Sequence, residues 1–170
     1  ESLYAAGYSV RAAVRKPRQA PPCVEDFVVG DISGTTSWAD ALARGDCVIH
    51  LAARVHMPDA GNEPPELYAA INLHGTRQLL GESVRAGVRR FVFLSSIKVN
   101  GEDTSGRPFS AADVPRPVDA YGQSKWQAEQ AIMTAGATGA IETVVVRPPL
   151  VYGAGVRNGM REWPAAAASI

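Results

Sequence analysis

Arg90-Phe91-Val92-Phe93-Leu94-Ser95-Ser96 is an apolar run that ends on two hydroxyls, and Asp119-Ala120-Tyr121-Gly122-Gln123-Ser124-Lys125 follows it after a long polar stretch. The first reads as a buried strand. The second opens a helix on which Tyr121 and Lys125 share one face, since residues four apart do so. A serine at a strand end, with a phenol and an ammonium on a helix, makes a candidate proton-transfer site. A tyrosine ordinarily titrates near pH ~10. A lysine cation beside it is expected to favour the phenolate and bring it into acid–base range.

The same alternation extends in both directions. Residues 1–7 read as the last turns of a helix with Gly7 as its C-cap. Strands are expected over 8–14, 24–29 (closed by Gly30-Asp31), 47–51, 90–94 and 142–146. Helices are expected over 36–43, capped by Thr35 or Thr36 and stopped by Gly45, and over 64–86 and 118–135. In the second of these, Leu67, Ala70, Ile71, His74 and Gln78 lie near one stripe. Short apolar strands alternating with helices predict an α/β fold, a doubly wound parallel sheet covered on both faces.

In such sheets ligands bind beyond the carboxyl ends of the strands. Gly30-Asp31, Leu51-Ala52-Ala53, Ser95-Ser96 and Arg147-Pro148-Pro149 all fall on that edge. The loop 101–119 is rich in Pro, Asp, Ser and Gly and reads as a lid over the cleft.

The bulk numbers exclude several classes. The 170 residues are 46% hydrophobic, a one-domain length with enough apolar material for a core. Lys+Arg and Asp+Glu balance at 17 each, so no basic face for nucleic acid is implied. No apolar run reaches the ~20 residues of a membrane span. Cys23 and Cys47 show no disulfide pattern, which together with the rest points to a cytoplasmic domain. His56 and His74 lack metal-ligand spacing, so no metal is expected.

Six segments, in order, resemble the extended short-chain dehydrogenase/reductase family and, within it, the NAD-dependent epimerases and dehydratases of nucleotide sugars. They are 29–32, 50–53, 71–76, 93–101, 121–125 and 146–153. The Ser-Ser-Ile-Lys-Val-Asn-Gly stretch at 95–101 is similar to UDP-glucose 4-epimerase-like proteins of bacterial surface-polysaccharide pathways.

The resemblance implies a Rossmann-like fold, NAD or NADP as cofactor and a nucleotide-sugar substrate. It implies Tyr121 as acid/base, Lys125 on the nicotinamide ribose and Ser96, rather than Ser95, at the reacting oxygen. Asp31 and Ile32 would meet the adenine, and Leu51, Ala52 and Ala53 would let the backbone approach the dinucleotide. Asn72 would support the neighbouring strand ends and cofactor, and Pro148 and Pro149 would wall the nicotinamide. It further implies a homodimer through the two long helices.

The chain departs from the family pattern in three places. The Gly-rich phosphate turn after the first strand would precede Glu1, the substrate region is missing, and the tail 158–170 is atypical. The expected domain is therefore a partial NAD(P)-binding unit over 1–170. The first strand within the chain ends Val14-Arg15-Lys16 without the acid that commonly holds a ribose, so Arg15 and Lys16 are expected to take a 2′-phosphate, which favours NADP over NAD or tolerance of both.

Gly136-Ala137-Thr138-Gly139-Ala140 follows a helix and precedes a strand, so it reads as a C-cap and connection. Gly153-Ala154-Gly155 reads as a loop near the cleft. His50 reads as a core histidine, and Lys98 reads equally as a substrate-facing or a surface lysine. The function expected is an epimerase or reductase, with Ile97-Lys98 offering no acid for a dehydratase. A non-catalytic dinucleotide-binding module and an inactive remnant are the alternatives.

Overall fold

β-Branched and aromatic residues bounded by Gly, Pro and Asp build five strands, as that composition favours. They are β1 (Val10–Val14), β2 (Val24–Val28), β3 (Cys47–His50), β4 (Arg90–Leu94) and β5 (Glu142–Val146). The computed structural model describes residues 2–18, 20–55, 63–104, 106–149 and 151. His56, Tyr152, the 153–155 loop and the 158–170 tail lie outside these.

All pairing is parallel. β1 pairs with β2, and β4 stands between β3 and β5. No ladder joins β1 to β3, so the strands form two sheets. In the doubly wound order 3-2-1-4-5-6, the first strand separates the second from the fourth. The five strands here take the places of the second through sixth, and the break falls where a first strand would lie.

The helical elements are α1 (Ser2–Ala5), α2 (Ala39–Leu42), α3 (Pro65–Tyr68), a π-helical segment (Ala69–Gly75), α4 (Thr76–Arg85) and α5 (Ala120–Ala137). The fold is thus α/β and Rossmann-like. One face of β3–β4–β5 carries Phe91 and Phe93, which are fully buried with Leu79, Leu80, Ala128 and Ile132. The register sets Phe91 level with Val48 and Thr143, and Phe93 level with His50 and Val145. The opposite face is not covered as expected: Ile49, Val144 and Val146 stay exposed. The helices after β3 and β4 both fall on the other side.

The long helix expected over 64–86 exists, but it changes pitch. Ala69–Gly75 is π-helical, with i→i+5 hydrogen bonding, a feature found often at functional sites. The wider turn rotates the buried stripe onto Tyr68, Asn72, Leu73, Thr76, Leu79, Leu80 and Ser83. Leu67, Ala70 and His74 face outward instead. Gly75 is required by packing: a Cβ there would collide with Ile32 Cγ2.

α2 is shorter than predicted, and neither Thr35 nor Thr36 caps it. Thr36 Oγ1 instead accepts from Ser33 N at 2.8 Å and donates to Asp31 O at 2.9 Å, which fastens the loop after β2. Glu82 Oε2 takes the N–H of Trp38, the residue before α2, at 2.7 Å. The residue in left-handed conformation after α2 is Arg44 (φ 58), not Gly45. The Gly136–Ala140 connection behaves as expected, with Gly139 at φ 73.

Candidate active site

α5 begins at an Asp119 N-cap, whose Oδ1 accepts the Gly122 N–H at 2.6 Å. This cap fixes where Tyr121 leaves the helix. On the other side, β4 ends at Leu94, and Ser96 starts a 3₁₀ turn (Ile97–Val99) whose Lys98 N–H it accepts at 3.2 Å. The two elements meet so that the Ser96 hydroxyl comes to the Tyr121 phenol and favours its ionisation. Ser95 takes no part: it is 4% exposed and its Oγ has no partner among the described residues.

The phenol of Tyr121 is pushed above its ordinary value, contrary to the expectation. Burial is the largest cause, the Ser96 hydrogen bond opposes it, Asp119 adds to it and Lys98 opposes it. The Lys125 ammonium is directed to the end of β4. Its Nζ donates to the Leu94 carbonyl at 2.7 Å and stands 4.0 Å from the Phe93 ring centroid. Lys125 is 1% exposed, and burial lowers its ammonium to about 8, partly offset by Glu129. That ammonium aims at the carboxyl end of β4, and among the described residues its hydrogen-bond partner is that one carbonyl.

His50 is a core histidine, as expected. Its Nε2 lies 2.9 Å from Thr76 Oγ1, and its ring is 5.6 Å from that of Phe93. Burial, then the charge of Lys125, lowers it to about 3, so it stays neutral.

Asn72 is committed to the protein. Its Oδ1 accepts Arg54 N at 2.8 Å, and its Nδ2 donates to Arg54 O and to Ser124 Oγ, each at 2.9 Å. It therefore pins the Leu51-Ala52-Ala53-Arg54 loop to α5 with both amide hydrogens and one lone pair of its oxygen used. Leu51 and Ala52 stay exposed on that loop and Ala53 is half-buried. Ile32 is not free to reach out, since it packs on Gly75 and the core.

Arg15 and Asp31 come together: Nε and Oδ1 are 3.4 Å apart and both side chains are largely exposed. Pro148 runs beside the serines, its carbonyl accepting Ile97 N at 3.0 Å, while Val146 O accepts Ser95 N at 2.7 Å. Pro149 is exposed next to it. The described residues of the 101–119 stretch carry several hydrogen bonds. Arg116 N donates to Val99 O at 2.9 Å, Asn100 Nδ2 to Ser110 O at 3.1 Å, and Arg107 pairs with Asp113 at 2.7 Å.

Sequence reasoning missed several members of the site. Tyr68 packs edge-on against Tyr121, with centroids 6.4 Å apart, and is held near the Arg54–Glu63 ion pair. Glu129 is fully buried and binds Arg147 through three contacts of 2.6 to 3.2 Å, while Arg147 Nη1 reaches Asn100 Oδ1 at 3.1 Å. Glu129 stands one turn beyond Lys125, and that spacing was the available signal. Asp119, directly before a helical run, had the N-cap signature.

The residues present fit a dinucleotide along this edge. An exposed Leu51 and Ala52 follow β3, and a buried ammonium with one protein partner among the described residues lies at the end of β4.

The sequence matches the profile of the NAD dependent epimerase/dehydratase family over residues 1–169. It is 44% identical over 133 residues to a UDP-glucose 4-epimerase of Vibrio cholerae, covering 77% of this chain and 40% of that protein. The solved structure of MoeE5 in complex with UDP-glucuronic acid and NAD superposes with a TM-score of 0.71 at 30% identity, over 89% of this chain and 48% of that one. A UDP-galactose 4-epimerase structure gives a TM-score of 0.75 at 25% identity, over 89% of this chain and 49% of that one. The chain spans less than half the length of each of these relatives. Through its profile match over residues 1–169, the chain belongs to the NAD dependent epimerase/dehydratase family.

Proposed function

We propose that this chain is the core of an NAD(P)-dependent nucleotide-sugar epimerase or reductase, with Tyr121 as the acid/base at a sugar hydroxyl. The observation that carries the reading is the approach of the Ser96 turn to the start of α5, which brings Ser96 beside Tyr121, with Lys125 one helical turn further on. The similarity to a UDP-glucose 4-epimerase supports a UDP-sugar as substrate.

Lys125 would hold the nicotinamide ribose, Leu51, Ala52 and Ala53 would face the dinucleotide, and Pro148 and Pro149 would border the nicotinamide. Asp31 would lie toward the adenine, with Arg15 beside it. Asn72 and Ile32 act at one remove, by holding the loops that carry those contacts. The dinucleotide, when bound, supplies the hydride acceptor and donor.

Tyr121 moves the proton of the sugar hydroxyl, and Ser96 holds that oxygen while the proton leaves. Burial keeps the Tyr121 phenol protonated at neutral pH in the resting chain. Ionising it for the base role depends on the groups that oppose burial, the Ser96 hydroxyl first among them. The exposed Leu67 and Met133, on the two long helices, support a homodimer through those helices.

The test uses the protein expressed from its complete coding sequence, with UDP-glucose and UDP-galactose as substrates and NAD and NADP as cofactors. Turnover is expected, and Tyr121→Phe should lower kcat by about 10²–10⁴-fold, the usual worth of acid–base help. Dinucleotide binding without turnover of any nucleotide sugar would favour the non-catalytic module.

A further inference from the structure

Tyr121 is gripped at two points by one stretch of chain. Tyr68, the last residue of α3, meets the Tyr121 ring edge-on, with centroids 6.4 Å apart and planes at 66°. This is the T-shaped arrangement that aromatic pairs favour. One turn further on, Asn72 Nδ2 donates to Ser124 Oγ at 2.9 Å, and Ser124 Oγ donates to the Tyr121 carbonyl at 2.7 Å. The ring and the backbone of Tyr121 are thus held separately, both from the helix that starts at Pro65.

Both grips lead back to Arg54. Its backbone N–H donates to Asn72 Oδ1 at 2.8 Å, and its carbonyl accepts Asn72 Nδ2 at 2.9 Å. Its guanidinium pairs with Glu63, Nε to Oε2 at 3.1 Å, and Tyr68 is held near that pair. Arg54 ends the Leu51-Ala52-Ala53-Arg54 loop after β3. That loop and the phenol on α5 therefore share one scaffold.

The local structure is built around these contacts. Tyr68 is 4% exposed, and the π-helical segment begins at Ala69, immediately after it, and contains Asn72. Such departures from α-helical pitch occur often at functional sites.

We propose that Tyr68 is a positioning residue for Tyr121, its ring edge fixing the plane in which the phenol presents its hydroxyl to the sugar. This rests on the reading of Tyr121 as the acid/base. Tyr68 exchanges no proton in this role and acts through the Tyr121 ring. Proton transfer needs the phenol within hydrogen-bond reach of the reacting oxygen, about 2.6–3.2 Å. A ring displaced by ~1 Å leaves that range, and misplacement on this scale costs up to about 10²-fold in rate.

The experiment uses the complete NAD-bound protein with UDP-glucose. Tyr68→Phe keeps the aromatic edge and should keep most of kcat. Tyr68→Met and Tyr68→Leu fill the space without a ring, and kcat should fall by about 10–100-fold. KM for UDP-glucose and the dinucleotide Kd should change little. The second readout is ¹³C relaxation of labelled tyrosine rings, with Tyr121→Phe assigning the resonance. The Tyr121 ring should be as rigid as the α5 backbone in the wild-type protein and in Tyr68→Phe, and more mobile in the Met and Leu variants.

A residue that only filled the core would lower the melting temperature and leave kcat and the Tyr121 ring as they were, and that result overturns the proposal. So does an equal loss of kcat in Tyr68→Phe and Tyr68→Leu, which would give the role to the hydroxyl. If Tyr68→Leu does not fold, Tyr68→Met decides. A mobile Tyr121 ring in the wild-type protein overturns the proposal without any variant. Full turnover in Tyr121→Phe would defeat the acid/base reading instead, and the ring relaxation would still report on the Tyr68 contact.

Discussion

Gly122 and Lys98 stand so close that a Cβ on Gly122 would lie 2.9 Å from the Lys98 carbonyl oxygen. A backbone oxygen cannot swing aside as a side chain can. Gly122→Ala should therefore push the 97–99 turn off α5 and draw Ser96 away from Tyr121. We expect destabilisation of about 1–3 kcal/mol, typical of overpacking, despite the better helix propensity of alanine. Urea midpoints and kcat check this, and kcat should fall further than the stability loss accounts for.

The two serines should separate in function. Ser96 favours ionisation of Tyr121, whereas Ser95 Oγ is buried with no partner among the described residues. Ser96→Ala should lower kcat by at least ~10-fold, about 1.4 kcal/mol, the scale of one hydrogen bond. Ser95→Ala should leave kcat nearly unchanged and keep or raise stability, since it removes a buried unsatisfied hydroxyl. A larger loss of turnover in Ser95→Ala would reverse the register.

His50 should make the protein acid-sensitive. Its folded value, about 3, lies below the ordinary 6.5 because burial and Lys125 oppose the cation. Below pH 6.5 the unfolded chain takes up a proton that the folded one refuses. Stability should fall with falling pH by up to about 1.4 kcal/mol per pH unit until the folded value is reached. Urea midpoints between pH 7 and pH 4 measure the slope, and His50→Gln should flatten it.

The Glu129–Arg147 pair should show strong non-additivity. Glu129 is fully buried, and Arg147 also holds Asn100. Glu129→Ala strands a partly buried guanidinium and should cost up to about 3–5 kcal/mol. Glu129→Met with Arg147→Met removes both charges and should cost much less. Comparing unfolding free energies of the single and double variants in a cycle tests this.

Arg15 and Asp31 should set cofactor choice against each other. An exposed pair of this kind is worth only about 0–1 kcal/mol, so a 2′-phosphate can compete for the guanidinium. Asp31→Asn should shift the ratio of dissociation constants toward NADP, and Arg15→Ala should shift it toward NAD. Calorimetry with both dinucleotides in the complete protein checks the two directions.

The local pattern alone determined a good deal. β4 and β5 begin and end where their apolar runs do, because a five-residue run bounded by polar residues leaves little freedom of register. The parallel pairing was legible from the alternation of strands and helices, and the meeting of Ser96 with Tyr121 from their places at a strand end and a helix start.

What the sequence hid depended on distance and burial. A π-helical segment shows in no 3.6-residue pattern, so the buried stripe of residues 65–85 had to come from its packing on Ile32 and α5. The i, i+4 spacing of Tyr121 and Lys125 gave them a common face but not a common target. The Leu94 carbonyl and the Phe93 ring decided where the ammonium went. Burial then raised the phenol that the sequence alone would lower. Electrostatics follow three-dimensional distance and solvent access, and a linear spacing carries neither.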